Sequence, residues 1–389
     1  MKTIAIYLGY EPYPKQGGME RVTDLLARML SVRFHVILLC KHKNRLGEEY
    51  HCPVPLFFLP QDNKEQQAYL LSVLLDNKVD ILIDQCEGGV FGRYGIFRHR
   101  NELRLPQLKC IAVQHNSAMA MLNNYKIIKH KERLPLCCDW LYKELFLSLL
   151  KCRAIRLQKN LSADLNANYD KIVTLSPAFI PHFHLLAPLT PRGKVTAIPN
   201  PNTYEEPVTR TSAEKIVLFV GRLDNKAKGI DRLLRVWNKV ESKAPGWTLQ
   251  IVGDGQDKEM LMNMTCRLKL QCVSFEGFRI PKPYYEEASI FCMTSTFEGF
   301  GMVLTEAMQH GVVPIAFNSY EALTDIVVDE QDGCLIPAFD EDAYATRLLE
   351  LMRDKEKLQQ ISARAIESTS KFSRDKVAQQ WYDLLDSMT

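Results

Sequence analysis

Long apolar runs are missing from this chain. No stretch of its 389 residues approaches the roughly 18 apolar residues that cross a bilayer, which excludes a membrane-spanning helix. Metal-site spacing is missing too. The eleven cysteines include no Cys-x-x-Cys pair, and only Cys137 and Cys138 are adjacent. Scattered and odd in number, they read as free thiols in a reducing cytoplasm. The apolar start Ile4–Tyr10 follows a single Lys2 and runs into Glu11-Pro12-Tyr13-Pro14 without a small-residue cleavage site, so it reads as a first strand rather than a signal core. Internal repeats and low-complexity segments are absent, and no recognised nucleic-acid module accompanies the basic residues. With 46% hydrophobic and 24% charged residues, the composition is that of a globular protein and excludes disorder.

What is present is an alternation. Apolar runs at 4–10, 35–40, 79–84, 109–114 and 171–175 are interleaved with helical segments at 20–33, 65–76 and 141–160. A second series starts near Lys215, with strands at 216–220, 247–252, 273–276, 289–293 and 312–316. Its helices lie near 230–243, 256–269, 302–310 and 341–353. Strand–helix alternation of this kind predicts parallel sheets covered on both faces, here in two tandem doubly wound domains. The Pro/Asn-rich Ile198-Pro199-Asn200-Pro201-Asn202 reads as the break between them. The expected division is residues 1–195, residues 203–370, and a last segment 371–389 returning to the first domain.

The net charge of +3 hides an asymmetry. Residues 1–190 carry 25 Lys/Arg against 17 Asp/Glu, and residues 191–389 carry 24 against 29. Residues 89–160 alone hold 14 basic and 4 acidic side chains. Within them Lys126, Lys129, Lys131, Arg133, Lys143, Lys151, Arg153, Arg156 and Lys159 accompany Leu145, Phe146, Leu149, Leu150, Ile155 and Leu157. That mixture reads either as a core helix with a solvated face or as a surface for anionic membrane.

The most informative segment is Phe297-Glu298-Gly299-Phe300-Gly301-Met302-Val303-Leu304-Thr305-Glu306. It follows the apolar run Ala288–Thr294 and precedes a helix ending at Gly311. Two glutamates thus bracket a Gly-Phe-Gly turn and the first turn of a helix, where free backbone N–H groups suit a phosphate. Gly221-Arg222 after the strand 216–220 and Lys228-Gly229 before the next helix can converge two cations on a diphosphate. This set resembles the paired-glutamate motif and Arg…Lys-Gly clamp of retaining GT-B glycosyltransferases, in particular glycosyltransferase family 4.

The resemblance covers nearly the whole chain. It implies an α/β GT-B fold of two Rossmann-like, doubly wound parallel-sheet domains facing a cleft. It implies that Glu298 lies beside the donor sugar, Glu306 holds the ribose hydroxyls, and Arg222 and Lys228 hold the diphosphate. Gly299, Phe300, Gly301 and Leu304 belong to the same donor segment. Gly17-Gly18 matches the family's Gly-Gly loop, His115 its active-site histidine, and Gly253-Asp254-Gly255 its Gly-x-Gly turn. Phe278 falls where backbone groups meet the nucleobase, and Asn200 is a further linker candidate. Asp340-Glu341-Asp342 mimics a metal motif but reads as a helix cap.

The expected function is a retaining, metal-independent hexosyltransferase with no cofactor. It takes a nucleotide-diphosphate sugar, UDP preferred, to a glycan or lipid-linked acceptor in capsule, lipopolysaccharide or other surface polysaccharide synthesis. Expected partners include an anionic membrane surface and exclude nucleic acid, and the expected location is the cytoplasm or the inner membrane face. An epimerase or phosphorylase of the same fold, or a non-catalytic sugar-nucleotide subunit, stays open.

Overall fold

The computed structural model describes residues 1–119, 140–205 and 214–388, with backbone alone over 140–151. Lys126, Lys129, Lys131 and Arg133 lie outside the described residues, as do the side chains of Lys143 and Lys151. The chain forms two compact units, Met1–Thr203 with Arg374–Thr389, and Tyr204–Ser373.

The first unit is built on seven strands, β1 Thr3–Tyr10, β2 His35–His42, β3 Leu56–Phe58, β4 Ile81–Asp84, β5 Lys109–Gln114, β6 Lys171–Thr174 and β7 Val195–Ala197. They lie in the order β3-β2-β1-β4-β5-β6-β7 with every pair parallel. Ile4 and Ile6 of β1 stand beside Val36 and Leu38 of β2, and Ile6 also faces Ile83 of β4. All are buried, as a sheet covered on both faces requires. The helix Gly18–Ser31 covers one side, and the last helix, Arg374–Asp386, lies against it. Tyr382 Oη donates to Met29 O at 2.7 Å, and Arg33 pairs with Asp386 at 2.9 Å.

The second unit holds six strands, β8 Ile216–Val220, β9 Thr248–Val252, β10 Val273–Gly277, β11 Ile290–Met293, β12 Val313–Asn318 and β13 Cys334–Pro337. Their order is β10-β9-β8-β11-β12-β13, again parallel throughout. Trp237, Leu233 and Val236 of the helix Ile230–Val240 fill the core with Ile251 and Ile315. The sequence reading lacked β3, β7 and β13 and the helix Lys355–Ser368. The three strands are edge or near-edge pieces of three or four residues. Such pieces are too short for a periodic signal.

In doubly wound sheets ligands bind beyond the strand carboxyl ends where the strand order reverses. That point lies between β1 and β4 in the first unit and between β8 and β11 in the second.

Candidate active site

The switch point of the second unit gathers the predicted donor residues. β8 ends in Gly221-Arg222, and the one-turn helix Asn225–Lys228 follows, capped by Asp224. Lys228 Nζ lies 2.5 Å from Glu298 Oε1, and Ser295 Oγ donates to the same oxygen at 2.7 Å. Both side chains of the pair are largely enclosed, 19% and 13% exposed. Arg222 is 72% exposed and reaches only its own loop, at 3.4 Å from Asp224. Lys228 and Glu298 are therefore brought into direct contact, while Arg222 stands free to move toward an incoming anion.

Gly301 caps the helix Met302–Gln309 with φ 93°, a left-handed conformation that favours glycine. A Cβ there would lie 2.7 Å from the hydroxyl of buried Tyr320. Gly299 is half-buried beside it. The other donor-segment residues turn inward. Phe300 is buried edge-on against Phe372, with ring centroids 5.4 Å apart, and Leu304 is core. With both side chains buried, these two residues present backbone toward the turn. Glu306 is fully buried and accepts from Tyr285 Oη at 3.1 Å, so the structure encloses the carboxylate expected at the ribose.

Gly253, with φ 142°, has a packing role: a Cβ there would fall 1.9 Å from Gly221 O. Phe278 follows β10 and is 59% exposed, a large apolar ring open to solvent. Asp340 caps the helix Glu341–Arg353 through Ala343 N, while Glu341 and Asp342 pair with Arg235 and Lys239. Among the described residues no group of three or more His, Cys, Asp and Glu is placed to hold a metal ion.

In the first unit Gly17 caps the helix Gly18–Ser31 in extended conformation. Glu20 folds back over that helix start, held by Gln16 at 3.0 Å, so an anion approaching Gly17-Gly18 meets a carboxylate first. His115 follows β5 and is buried. Its Nε2 lies 2.7 Å from Gln85 Oε1, and its backbone N–H donates to Glu87 Oε1 at 2.7 Å. A cavity of about 10 Å³, room for about one water, lies beside His115, Gln85 and Asn200. Glu87 adopts φ 51°, and burial raises its pKa. Behind it Asp84, fully buried, accepts from Val90 N and from the Tyr169 hydroxyl, and burial raises its pKa as well. Sequence reasoning missed Gln85, Glu87, Asp84 and Tyr169. The polar, glycine-rich run Asp84-Gln85-Cys86-Glu87-Gly88-Gly89 after a strand was the available signal.

Burial lowers the His115 pKa from 6.5 to about 4. The unfolded chain therefore takes up this proton first, and the stability held by neutral His115 is complete above pH 6.5. It is lost as pH falls toward 4, by roughly 3 kcal/mol over the window. Urea midpoints at pH 7 and pH 4.5 should show this slope in the wild type and a shallower one in His115→Gln. Equal slopes would show that His115 protonates freely in the fold.

Comparison with known proteins bears on the fold and on the second unit. Residues 202–368 match the family model of glycosyl transferases group 1. An uncharacterized glycosyltransferase of Haemophilus influenzae is 31% identical over 223 residues, 56% of this chain and 61% of that protein. The amylovoran biosynthesis glycosyltransferase AmsD of Erwinia amylovora is 25% identical over 382 residues, 95% of this chain and 96% of its own. Among solved structures, Anabaena HepE in complex with UDP-glucose superposes with a TM-score of 0.75 at 18% identity, over 100% of both chains. Residues 202–368 are thus similar to the glycosyl transferases group 1, and the chain has the GT-B fold.

Proposed function

We propose that the chain is a glycosyltransferase that moves a hexose from a UDP-sugar to a hydroxyl of a glycan or lipid-linked acceptor, with retention of anomeric configuration and without a metal ion. The observation that carries the reading is the Lys228–Glu298 contact at the β8/β11 switch point, beside the left-handed turn at Gly301. Lys228 has further ammonium donors for a diphosphate oxygen, and exposed Arg222 supplies a second cation, so two side chains meet the charge of the leaving group. In the reaction the bond from the anomeric carbon to the diphosphate oxygen breaks, and the acceptor oxygen bonds to the same face. The acceptor proton passes to the departing diphosphate. Glu298 then faces the positive charge that develops on the sugar.

The complex of HepE with UDP-glucose supports a UDP-sugar as the donor, and the name of AmsD supports a biosynthetic role such as surface polysaccharide assembly. No helix among the described residues is long and apolar enough to cross a membrane. The basic excess of residues 89–160 supports reversible docking on an anionic inner-membrane surface, where a lipid-linked acceptor is presented.

The test is donor turnover. Purified protein is incubated in EDTA with UDP-, GDP- and ADP-hexoses, and the sugar released is followed by proton NMR. The expected result is slow hydrolysis of a UDP-hexose, with the first-formed sugar keeping the donor's anomeric configuration. Activity abolished by EDTA and restored by Mg²⁺ or Mn²⁺ would refute metal independence, and an inverted product would refute retention.

A further inference from the structure

Two loops carry the Lys228–Glu298 pair, one after β8 and one after β11, and they are fastened together beneath it. Thr296 N donates to Ala227 O at 2.7 Å, Thr296 Oγ1 to Lys226 O at 3.1 Å, and Thr294 Oγ1 to Lys228 O at 3.1 Å. Ser319 Oγ holds Ser295 O at 2.7 Å from the far side.

Into this seam the helix Ile230–Val240 sends a buried arginine. Arg232 is 8% exposed, and its guanidinium carbon lies 4.3 Å from the centre of the Phe339 ring. Its Nη1 donates to Thr296 Oγ1 at 3.1 Å and approaches Thr294 O at 3.5 Å. Among the described residues no carboxylate lies within ion-pair distance of it. Burial depresses its pKa, and the carboxylates of Asp231 and Glu341 offset that only in part, from beyond ion-pair distance. Gly229 makes the arrangement possible. With φ 61°, it has no Cβ where one would lie 2.4 Å from Arg232 Nη1 and 2.5 Å from Thr294 O.

We propose that Arg232 is a positioning residue that locks the loops after β8 and β11 in register and so sets the Lys228–Glu298 contact on which sugar transfer depends. It touches neither member of the pair and acts through Thr294 and Thr296. The inference rests on the donor-site reading above only for its catalytic consequence. The register itself can be read without turnover.

The experiment compares Arg232→Met and Arg232→Lys with the wild type in two ways. The first is the acetylation rate of each lysine by mass spectrometry. Lys228 is protected by its enclosure and its contact with Glu298, and Lys258, paired with Asp254 on another loop, serves as the control. Arg232→Met should raise the Lys228 rate at least about fivefold with Lys258 unchanged, as local opening requires, and Arg232→Lys should restore most of the protection. The second is kinetics with a UDP-hexose. Arg232→Met should lower kcat about tenfold or more with donor KM little changed, the scale of a misplaced catalytic geometry. In a Glu298→Gln background the same substitution should cost far less, because the contact it serves is already gone.

Unchanged protection of Lys228 overturns the proposal whatever the activity. A parallel rise at Lys258 also overturns it, since it marks a general loosening of the unit. A selective rise at Lys228, in a wild type that turns over no nucleotide-sugar, upholds the positioning role and overturns the donor reading instead.

Discussion

Replacing Lys228 with Ala is expected to lower kcat/KM by about 1.5–3 kcal/mol, roughly 10- to 150-fold, the scale of a charge-assisted hydrogen bond made to the leaving group. Lys228 is the cation that the fold fixes. Its ammonium is enclosed and anchored on Glu298, so its placement is settled before a diphosphate arrives. The variant leaves Glu298 with Ser295 as its remaining partner, and a modest loss of stability accompanies the loss of rate. Arg222→Ala provides the contrast. Its side chain is 72% exposed and reaches only Asp224, so stability should change by less than about 0.5 kcal/mol. A fall in kcat/KM at unchanged melting temperature would place that guanidinium on the substrate. Steady-state kinetics and thermal unfolding of the two variants separate the cases.

The largest loss of stability is expected from a single methyl group. In Gly253→Ala the new Cβ falls 1.9 Å from Gly221 O at a φ of 142°, so neither the backbone nor the side chain can stay in place. Strain and overpacking together should cost roughly 3–5 kcal/mol. In a unit of this size that is a melting temperature lower by on the order of 10 °C. The carbonyl it strikes belongs to the residue before Arg222, so activity should fall further than unfolding alone explains. Gly246→Ala is the control. Its φ is 82°, but the nearest atom to its Cβ is Lys215 Cδ at 3.8 Å, which leaves strain without a clash and a cost of about 1 kcal/mol. Equal melting temperatures for the two variants would show that the approach of Gly253 to Gly221 is not tight.

Both positions could be read from the sequence, and the structure adds a contact to one and a packing role to the other. Lys228 and Glu298 could be found because each follows a strand whose apolar run is unmistakable, Ile216–Val220 and Ile290–Met293. Their mutual contact could not, since it depends on adjacency of β8 and β11, which are separated in sequence by two other strands. The sequence reads Gly253 as part of a turn near the nucleotide, and the structure adds its close backbone approach to Gly221. The inward turn of Phe300, Leu304 and Glu306 was equally hidden. A glycine-led helix start can be read from the sequence, but the rotation of the helix Met302–Gln309 about its own axis is fixed by packing against Phe372 and Tyr285. Arg232 was invisible for a simpler reason. Among Asp231, Arg235 and Lys239 it reads as one more charge on an amphipathic helix, and only the tertiary structure shows it buried.

The most direct measurement is isothermal titration of UDP, in EDTA, into the wild type and Lys228→Ala. If the β8/β11 switch point holds the diphosphate through side-chain cations, the wild type binds without metal and the variant binds at least about tenfold more weakly, the equivalent of one charge-assisted hydrogen bond. Binding of equal strength in both proteins, or binding that appears only when Mg²⁺ is restored, would contradict it.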